Sequence, residues 1–280
     1  MPFEITPLDH HTLETMHEIL KASSGFETSL EDELMYFDTR RPSGWFVARE
    51  GEGICGFVRS FAQGAEWSLG ELYVAPGLKE RAAVARELLT CFSKHNSFSP
   101  GHRLRFDVPA SDLTLNSRLE EMGFSEKRQL FRHYELSLAR WAETATAATE
   151  GSGAVTGADA RGVAAVFENL HSVTEDEVKA WIEQGTIEVI RSQGGIVAAA
   201  QIYRSGDEAE INRLATLAEC LRQGFAKQLL NQICVCLADE KRLRVYLKVE
   251  AIREPARRLY QSVGFEDVLE KAQIWHSRWF

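Results

Sequence analysis

The stretch from Glu210 to Lys227 reads EINRLATL-AECLRQ-GFAK, the pattern of a strand, a loop and the start of a helix. Gly224 falls at the expected helix start, followed by Phe225, Ala226 and Lys227. A helix N-terminus carries unsatisfied N–H groups and positive dipole potential, so it can hold a pyrophosphate. Small residues at 224 and 226 let backbone approach phosphate oxygens, and Arg222 and Lys227 add charge. Further on, ARRLYQSVGF (Ala256–Phe265) places Tyr260 on a short helix that stops at Gly264. Each segment alone has a plainer explanation. A glycine at a helix start is common punctuation, and Leu259, Tyr260, Val263 and Phe265 suit a helix face in a core.

In this order and spacing, the two segments together resemble the GNAT superfamily of N-acetyltransferases. That family shows L-x-V-x-P-x-[YF]-[RQ]-x-x-G-x-[GA], then N-x-x-A-x-x-L-Y-x-x-x-G-F. The matching residues are Leu214, Ala215, Thr216, the loop to Gly224 and Ala226, then Ala256, Leu259, Tyr260, Gly264 and Phe265. Leu221, Ala218 and Arg253 depart from the pattern, and Arg222, Gln223 and Arg253 supply polar groups instead. The resemblance spans about residues 158–275. It implies acetyl-CoA as acyl donor and no metal. Pantetheine would run along Leu214, Ala215 and Thr216, whose backbone could polarise the thioester carbonyl. Pyrophosphate would meet the amides of Arg222, Gln223, Gly224, Phe225, Ala226 and Lys227. An alkylammonium acceptor, with a pKa near 10, must lose a proton before it attacks. The resemblance gives Tyr260 the role of general acid toward the leaving thiolate. It makes Glu210, fourteen residues ahead of the glycine, the candidate base, with Glu250 its rival.

Much of the chain repeats. The first half reads as a strand, two helices (the second at about Leu30–Phe37), three antiparallel strands, a helix, a strand, a helix and a closing strand; the second repeats this order from its helices on, the second of which opens with the capping-box pattern Thr174-x-x-Glu177. The halves flank a segment rich in Ala, Thr, Ser and Gly, which gives a first domain at 1–138, a linker at 139–155 and a second domain at 156–280. The expected fold class is α/β (α+β): two GNAT-like domains, each a mixed, mostly antiparallel twisted sheet flanked by helices. Leu72–Leu89 aligns without gaps to Leu214–Asn231, which sets Ala82 opposite Gly224 and Ser68 opposite Glu210. RLEEMGF aligned to RLYQSVGF leaves Tyr260 opposite Leu119 or Glu120, depending on where the extra residue is counted. The first copy therefore lacks the acid, the base and the glycine, and the chemistry is expected in the second.

Composition narrows the partners. A net charge of -9 disfavours nucleic-acid binding. No apolar run is long enough for a membrane helix, and the N-terminal residues lack signal-peptide features, so a cytoplasmic protein is expected. Five irregularly spaced cysteines argue against a disulfide framework, and neither they nor the histidines show metal-ligand spacing. The expected activity is transfer of an acetyl or other short acyl group to a primary amine, on a small molecule or a peptide, by a monomer or homodimer. The alternative is a non-catalytic acyl-CoA sensor or interaction protein.

Overall fold

The computed structural model describes residues 3–24, 45–62, 67–96, 98–125, 127–144, 154–168 and 173–280. The chain divides into two compact units, residues 1–131 with 270–280, and residues 132–269. A helix expected at Leu30–Phe37 lies outside the described residues.

The first unit contains β1 (Glu4–Pro7), α1 (His10–Ser24), β2 (Phe46–Glu50), β3 (Gly53–Ala62), β4 (Trp67–Val74), α2 (Arg81–His95), β5 (Arg103–Pro109), α3 (Leu113–Glu121) and the start of β6 (Lys127–Ser137). Strands β1 to β4 are antiparallel neighbours, whereas β4 and β5 run parallel. Alternation along β5 buries Leu104, Phe106 and Val108 against α2 and α3, whose Leu88, Leu89, Phe92 and Leu119 are fully buried. Burying each such side chain stabilises the unit by about 1.5–3 kcal/mol.

The second unit holds the rest of β6, then α4 (Leu138–Thr144), α5 (Ala160–Phe167), α6 (Glu175–Glu183), β7 (Ile187–Ser192), β8 (Gly195–Ser205), β9 (Glu208–Thr216), α7 (Phe225–Asp239), β10 (Arg244–Glu250), α8 (Glu254–Val263) and the short β11 (Glu266–Asp267). Its strand order is β6-β10-β9-β8-β7, with β10 and β9 parallel and β9, β8 and β7 antiparallel. Helices α7 and α8 cover one face with Leu229, Leu230, Ile233, Leu237, Tyr260 and Val263. Helices α5 and α6 cover the other with Val163, Val166, Phe167 and Val178. Thr174 and Glu177 form the expected capping box of α6. Among the described residues no helix is long and apolar enough to cross a membrane, and no group of His, Cys, Asp or Glu could hold a metal ion.

Two features differ from the sequence reading. The segment expected to be linker begins with a helix, α4, whose Trp141 packs on the second unit's core. The last strand, β12 (Gln273–Trp279), does not close the second unit. It pairs antiparallel with β5 from Gln273↔Pro109 to Trp279↔Arg103, inside the first unit. The second unit takes the latter part of the eleven-residue β6 instead. Its compact body is therefore residues 132–269 in place of 156–280. Periodicity marks a strand but not its partner, so an exchange of closing strands leaves no trace in the pattern.

Candidate active site

Strands β9 and β10 pair in parallel from Glu208↔Arg244 only as far as Ile211↔Leu247. Beyond that rung β9 continues to Thr216 and β10 to Glu250 with no further register between them, so the two strands part toward their C-terminal ends. A ligand can be inserted between separated parallel strands without breaking ladder bonds, and strand carboxyl ends are where open α/β sheets bind ligands. Leu214, Ala215 and Thr216 lie on the unpaired side of β9, where they bond instead to β8 at Ala200, Ala199 and Ala198.

The register of β9 against β8 slips by one residue, from Gln201↔Arg213 to Ile202↔Ile211, which leaves Asn212 as a bulge. Ahead of the bulge, Ala209 and Ile211 face the α7 and α8 core, so Glu210 faces the opposite side. After it, Leu214 packs on that same core and Ala215 on the α5 and α6 core. The extra residue thus brings Glu210, Asn212 and Arg213 to one face. Asn212 Nδ2 donates to Gln201 Oε1 at 3.0 Å, and Arg213 donates to the same oxygen. The Arg213 guanidinium lies 4.7 Å over the Trp181 ring. Tyr246 donates from its hydroxyl to Glu210 Oε2 at 3.4 Å, and Tyr203 stands across from Glu210 on β8. Burial raises the Tyr203 phenol, with the Arg213 cation opposing it.

The loop from β9 turns sharply into α7. Arg222 adopts φ 61° and Gly224 φ 89°, both left-handed. Such a conformation is uncommon for arginine and costs glycine nothing. Gly224 is the N-cap of α7, and no side chain caps the helix, so the first-turn amides of Phe225, Ala226 and Lys227 remain available. A Cβ built on Gly224 meets nothing within 4 Å, so the space in front of these amides is open. Gln223 bonds back to the Glu219 carbonyl at 3.0 Å, and Arg222 and Lys227 are exposed.

Tyr260 sits on α8, the helix that follows β10. Pro255 opens the helix, and Gly264 closes it at φ 107°. The ring is 8% exposed and packs at 6.0 Å against both Tyr134 and Phe265. Its hydroxyl makes no hydrogen bond with any described residue. Burial pushes the phenol up to about 12, with Arg253 opposing, so it is a proton donor at neutral pH. Glu250, the rival carboxylate, accepts from Arg253 Nε at 2.7 Å. That ion pair occupies Arg253, which the sequence assigns to the phosphates. The sequence reading missed Gln201, Asn212, Arg213 and Trp181. Two consecutive polar residues, Asn212 and Arg213, which break the alternation of β9, were the available signal.

The first unit shows what the same architecture looks like without these groups. Strands β4 and β5 also part, after Gly70↔Phe106. Helix α2 starts at Arg81 with N-cap Glu80 at φ -100°, so Ala82 lies inside the helix and is not the counterpart of Gly224. Loop 75–80 is two residues shorter than loop 217–224. Arg81 folds over the helix start onto the Val74 carbonyl and the Asp112 carboxylate. Because β4 has no bulge, rung-for-rung matching sets Leu69, not Ser68, opposite Glu210. The bonds Phe124 N→Leu119 O and Phe265 N→Tyr260 O settle the other count, and Leu119 stands where Tyr260 does.

Residues 183–267 match the family model described as the acetyltransferase (GNAT) domain. No curated protein matches the chain. Among solved structures, a GCN5-related N-acetyltransferase from Sphaerobacter thermophilus is similar at TM-score 0.75 and 14% identity, covering 99% of this chain and 96% of that one. A tandem GNAT protein from the clavulanic acid biosynthesis pathway is similar at TM-score 0.63 and 17% identity, covering 99% and 98%. A GNAT-family acetyltransferase from Colwellia psychrerythraea gives TM-score 0.64 at 13% identity, covering 99% and 100%. At these identities the likeness establishes the fold along the chain. The stretch that matches the family model falls within the second unit.

Proposed function

We propose that the GNAT domain of the second unit transfers an acyl group, acetyl foremost, from acyl-CoA to a primary amine. The observation that carries this reading is the parting of β9 and β10 after Ile211↔Leu247, directly ahead of an uncapped, glycine-led helix. The parted strands leave backbone groups of Leu214 to Thr216 free on one side for a pantetheine chain. The open amides of Phe225 to Lys227 suit a pyrophosphate, with Arg222 and Lys227 beside them. The donor supplies a thioester whose carbonyl is attacked by the amine.

Glu210 takes the ammonium proton, directly or through water, so that a neutral nitrogen can attack. It faces the side of the sheet where Tyr203, Arg213 and Tyr246 gather, and Tyr246 orients its carboxylate. As the carbon–nitrogen bond forms and the carbon–sulfur bond breaks, Tyr260 donates its proton to the departing sulfur. A phenol near 12 is a weaker acid than a thiol near 8.5, so the proton leaving the attacking nitrogen must resupply it in the same step. An unpartnered hydroxyl on a buried, rigidly packed ring suits that relay. The first unit, with Leu69, Leu119 and a covered helix start, carries no catalysis in this reading. Incubation with acetyl-CoA and a panel of amines, following free thiol, tests it. Thiol release that depends on amine and on Tyr260 supports it, and acetyl-CoA binding without turnover on any amine would instead favour a sensor.

A further inference from the structure

The face that carries Glu210 holds a cation with no carboxylate partner among the described residues, and two buried donors without acceptors. Gln201 is fully buried, and its Oε1 accepts from Asn212 and from Arg213. Arg213 can only donate, so turning the Gln201 amide over would set two donors against each other, and this bond fixes the oxygen assignment. Gln201 Nε2 is consequently a buried donor with no acceptor, and Arg213 Nε is another. Arg213 forms no salt bridge among the described residues. Its favourable neighbours are the Tyr203 phenol first and then Glu177, whose carboxylate already bonds Thr174 in the cap of α6. Desolvation lowers the Arg213 guanidinium from its ordinary value, as expected for a cation that burial does not compensate. Buried donors and charges without partners are costly, and persist where a ligand supplies the acceptor.

The first unit provides an internal control. Strands β2 and β3 repeat in β7 and β8 at constant spacing, bulge included, so Arg59↔Glu71 occupies the rung that Gln201↔Arg213 occupies in the second unit. There the buried cation is ion-paired within the protein. Arg59 Nε donates to Glu71 Oε2 at 2.5 Å, and Trp45, Phe57 and Phe61 surround the guanidinium. The second unit keeps a cation over an aromatic ring at this rung but carries it on the other strand, with Arg213 where the first unit has Glu71 and the neutral Gln201 where it has Arg59. The same fold can therefore satisfy this position internally, and in the second unit it does not.

We propose that the acyl acceptor is a small amine bearing a carboxylate, held by Arg213 and the Nε2 of Gln201 while its amino group faces Glu210. This rests on the acyl-transfer reading of the same face. The bulge of β9 at Asn212 lets Glu210 and Arg213 share this face although they are three residues apart, as the corresponding Leu69 and Glu71 do two apart. Arg213 here determines specificity and plays no part in proton transfer.

The test compares standard L-amino acids, β-alanine and γ-aminobutyrate with their primary amides as acceptors, using the full chain and acetyl-CoA. The expected result is a kcat/KM preference of roughly 10²-fold for acid over amide in at least one pair, expressed in KM. The α- and ω-amino arms tell which spacing the site takes. Arg213→Gln should collapse the acid-to-amide ratio toward one. Gln201→Glu would create an internal ion pair at this rung, with its charges on the opposite strands from Arg59 and Glu71; it should raise the melting temperature and abolish the preference, which a purely structural Arg213 would not do. A wild-type preference for amides, or an unchanged ratio in a folded Gln201→Glu protein, overturns the proposal. Should no amine turn over, the acyl-transfer reading fails separately. The carboxylate site is then read by calorimetry with N-acetyl amino acids against their amides. Equal binding, or none, overturns it.

Discussion

Replacing Tyr260 by Phe removes one oxygen and nothing else. The ring, 8% exposed and wedged between Tyr134 and Phe265, keeps its packing, and the hydroxyl leaves no described residue without a hydrogen-bond partner. The variant should therefore melt within about 2 °C of the parent, since surviving contacts carry the stability. Turnover should fall by about 10²-fold or more, equivalent to about 2.7 kcal/mol of transition-state stabilisation, while acetyl-CoA affinity stays within a few-fold. A second signature comes from alkaline pH. The folded-state phenol near 12 lies above the unfolded value near 10, so its contribution is intact below pH 10 and is lost as pH rises toward 12. Two pH units correspond to about 3 kcal/mol. Urea unfolding at pH 8 and pH 11 should show the parent losing more stability than Tyr260→Phe. Full activity in a normally folded variant would refute the acid role, and a melting temperature lowered by more than about 5 °C would refute the claim that the hydroxyl is unpartnered.

The remaining tests bear on the donor and the base. Gly224→Val should lower acetyl-CoA affinity by at least about 10-fold in calorimetry while circular dichroism stays normal. Nothing lies within 4 Å of the new Cβ, so any loss comes from the left-handed φ of 89° and the crowded approach to the helix amides. Acetyl-CoA should bind once per chain, because Arg81 and Asp112 cover the corresponding helix start in the first unit; two equivalent sites would overturn that assignment. Glu210→Gln should lower turnover at neutral pH and recover in part as pH approaches the amine's pKa near 10, whereas unchanged activity would move the base role to Glu250 or water.

Element order and type were legible wherever periodicity was strong. The capping box at Thr174, Pro255 in a helix's first turn and the left-handed Gly224 and Gly264 all follow from local chemistry, and local chemistry is what a sequence displays. Relations between segments were not legible. An ungapped alignment put Ala82 at the helix start, yet the buried positions Val84, Ala85, Leu88, Leu89 and Phe92 recur with the same spacing at Leu229, Leu230, Ile233, Cys234 and Leu237, which requires a longer loop in the second copy. The bulge at Asn212 likewise shifts every residue before it by one rung, which moved the partner of Glu210 from Ser68 to Leu69. One inserted residue barely alters a sequence pattern but inverts which face a side chain takes.

That inversion links fold to chemistry. In an unbulged strand, residues three apart point to opposite faces, so Glu210 and Arg213 could not share one. In the first unit, Leu69 and Glu71 share a face by simple alternation, and Glu71 is consumed by Arg59. The second unit adds Asn212 yet keeps the corresponding pair on one face, where a carboxylate, two tyrosines and a cation without a carboxylate partner converge beside the parted strands. The first copy closes each corresponding opening internally, with Glu71 for the cation, Arg81 and Asp112 at the helix start, and Leu119 in place of the phenol. A single missing group could arise by drift in a working domain. Closure of three separate openings by the protein's own side chains stabilises the fold at each place, which supports the proposal that confines catalysis to the second unit.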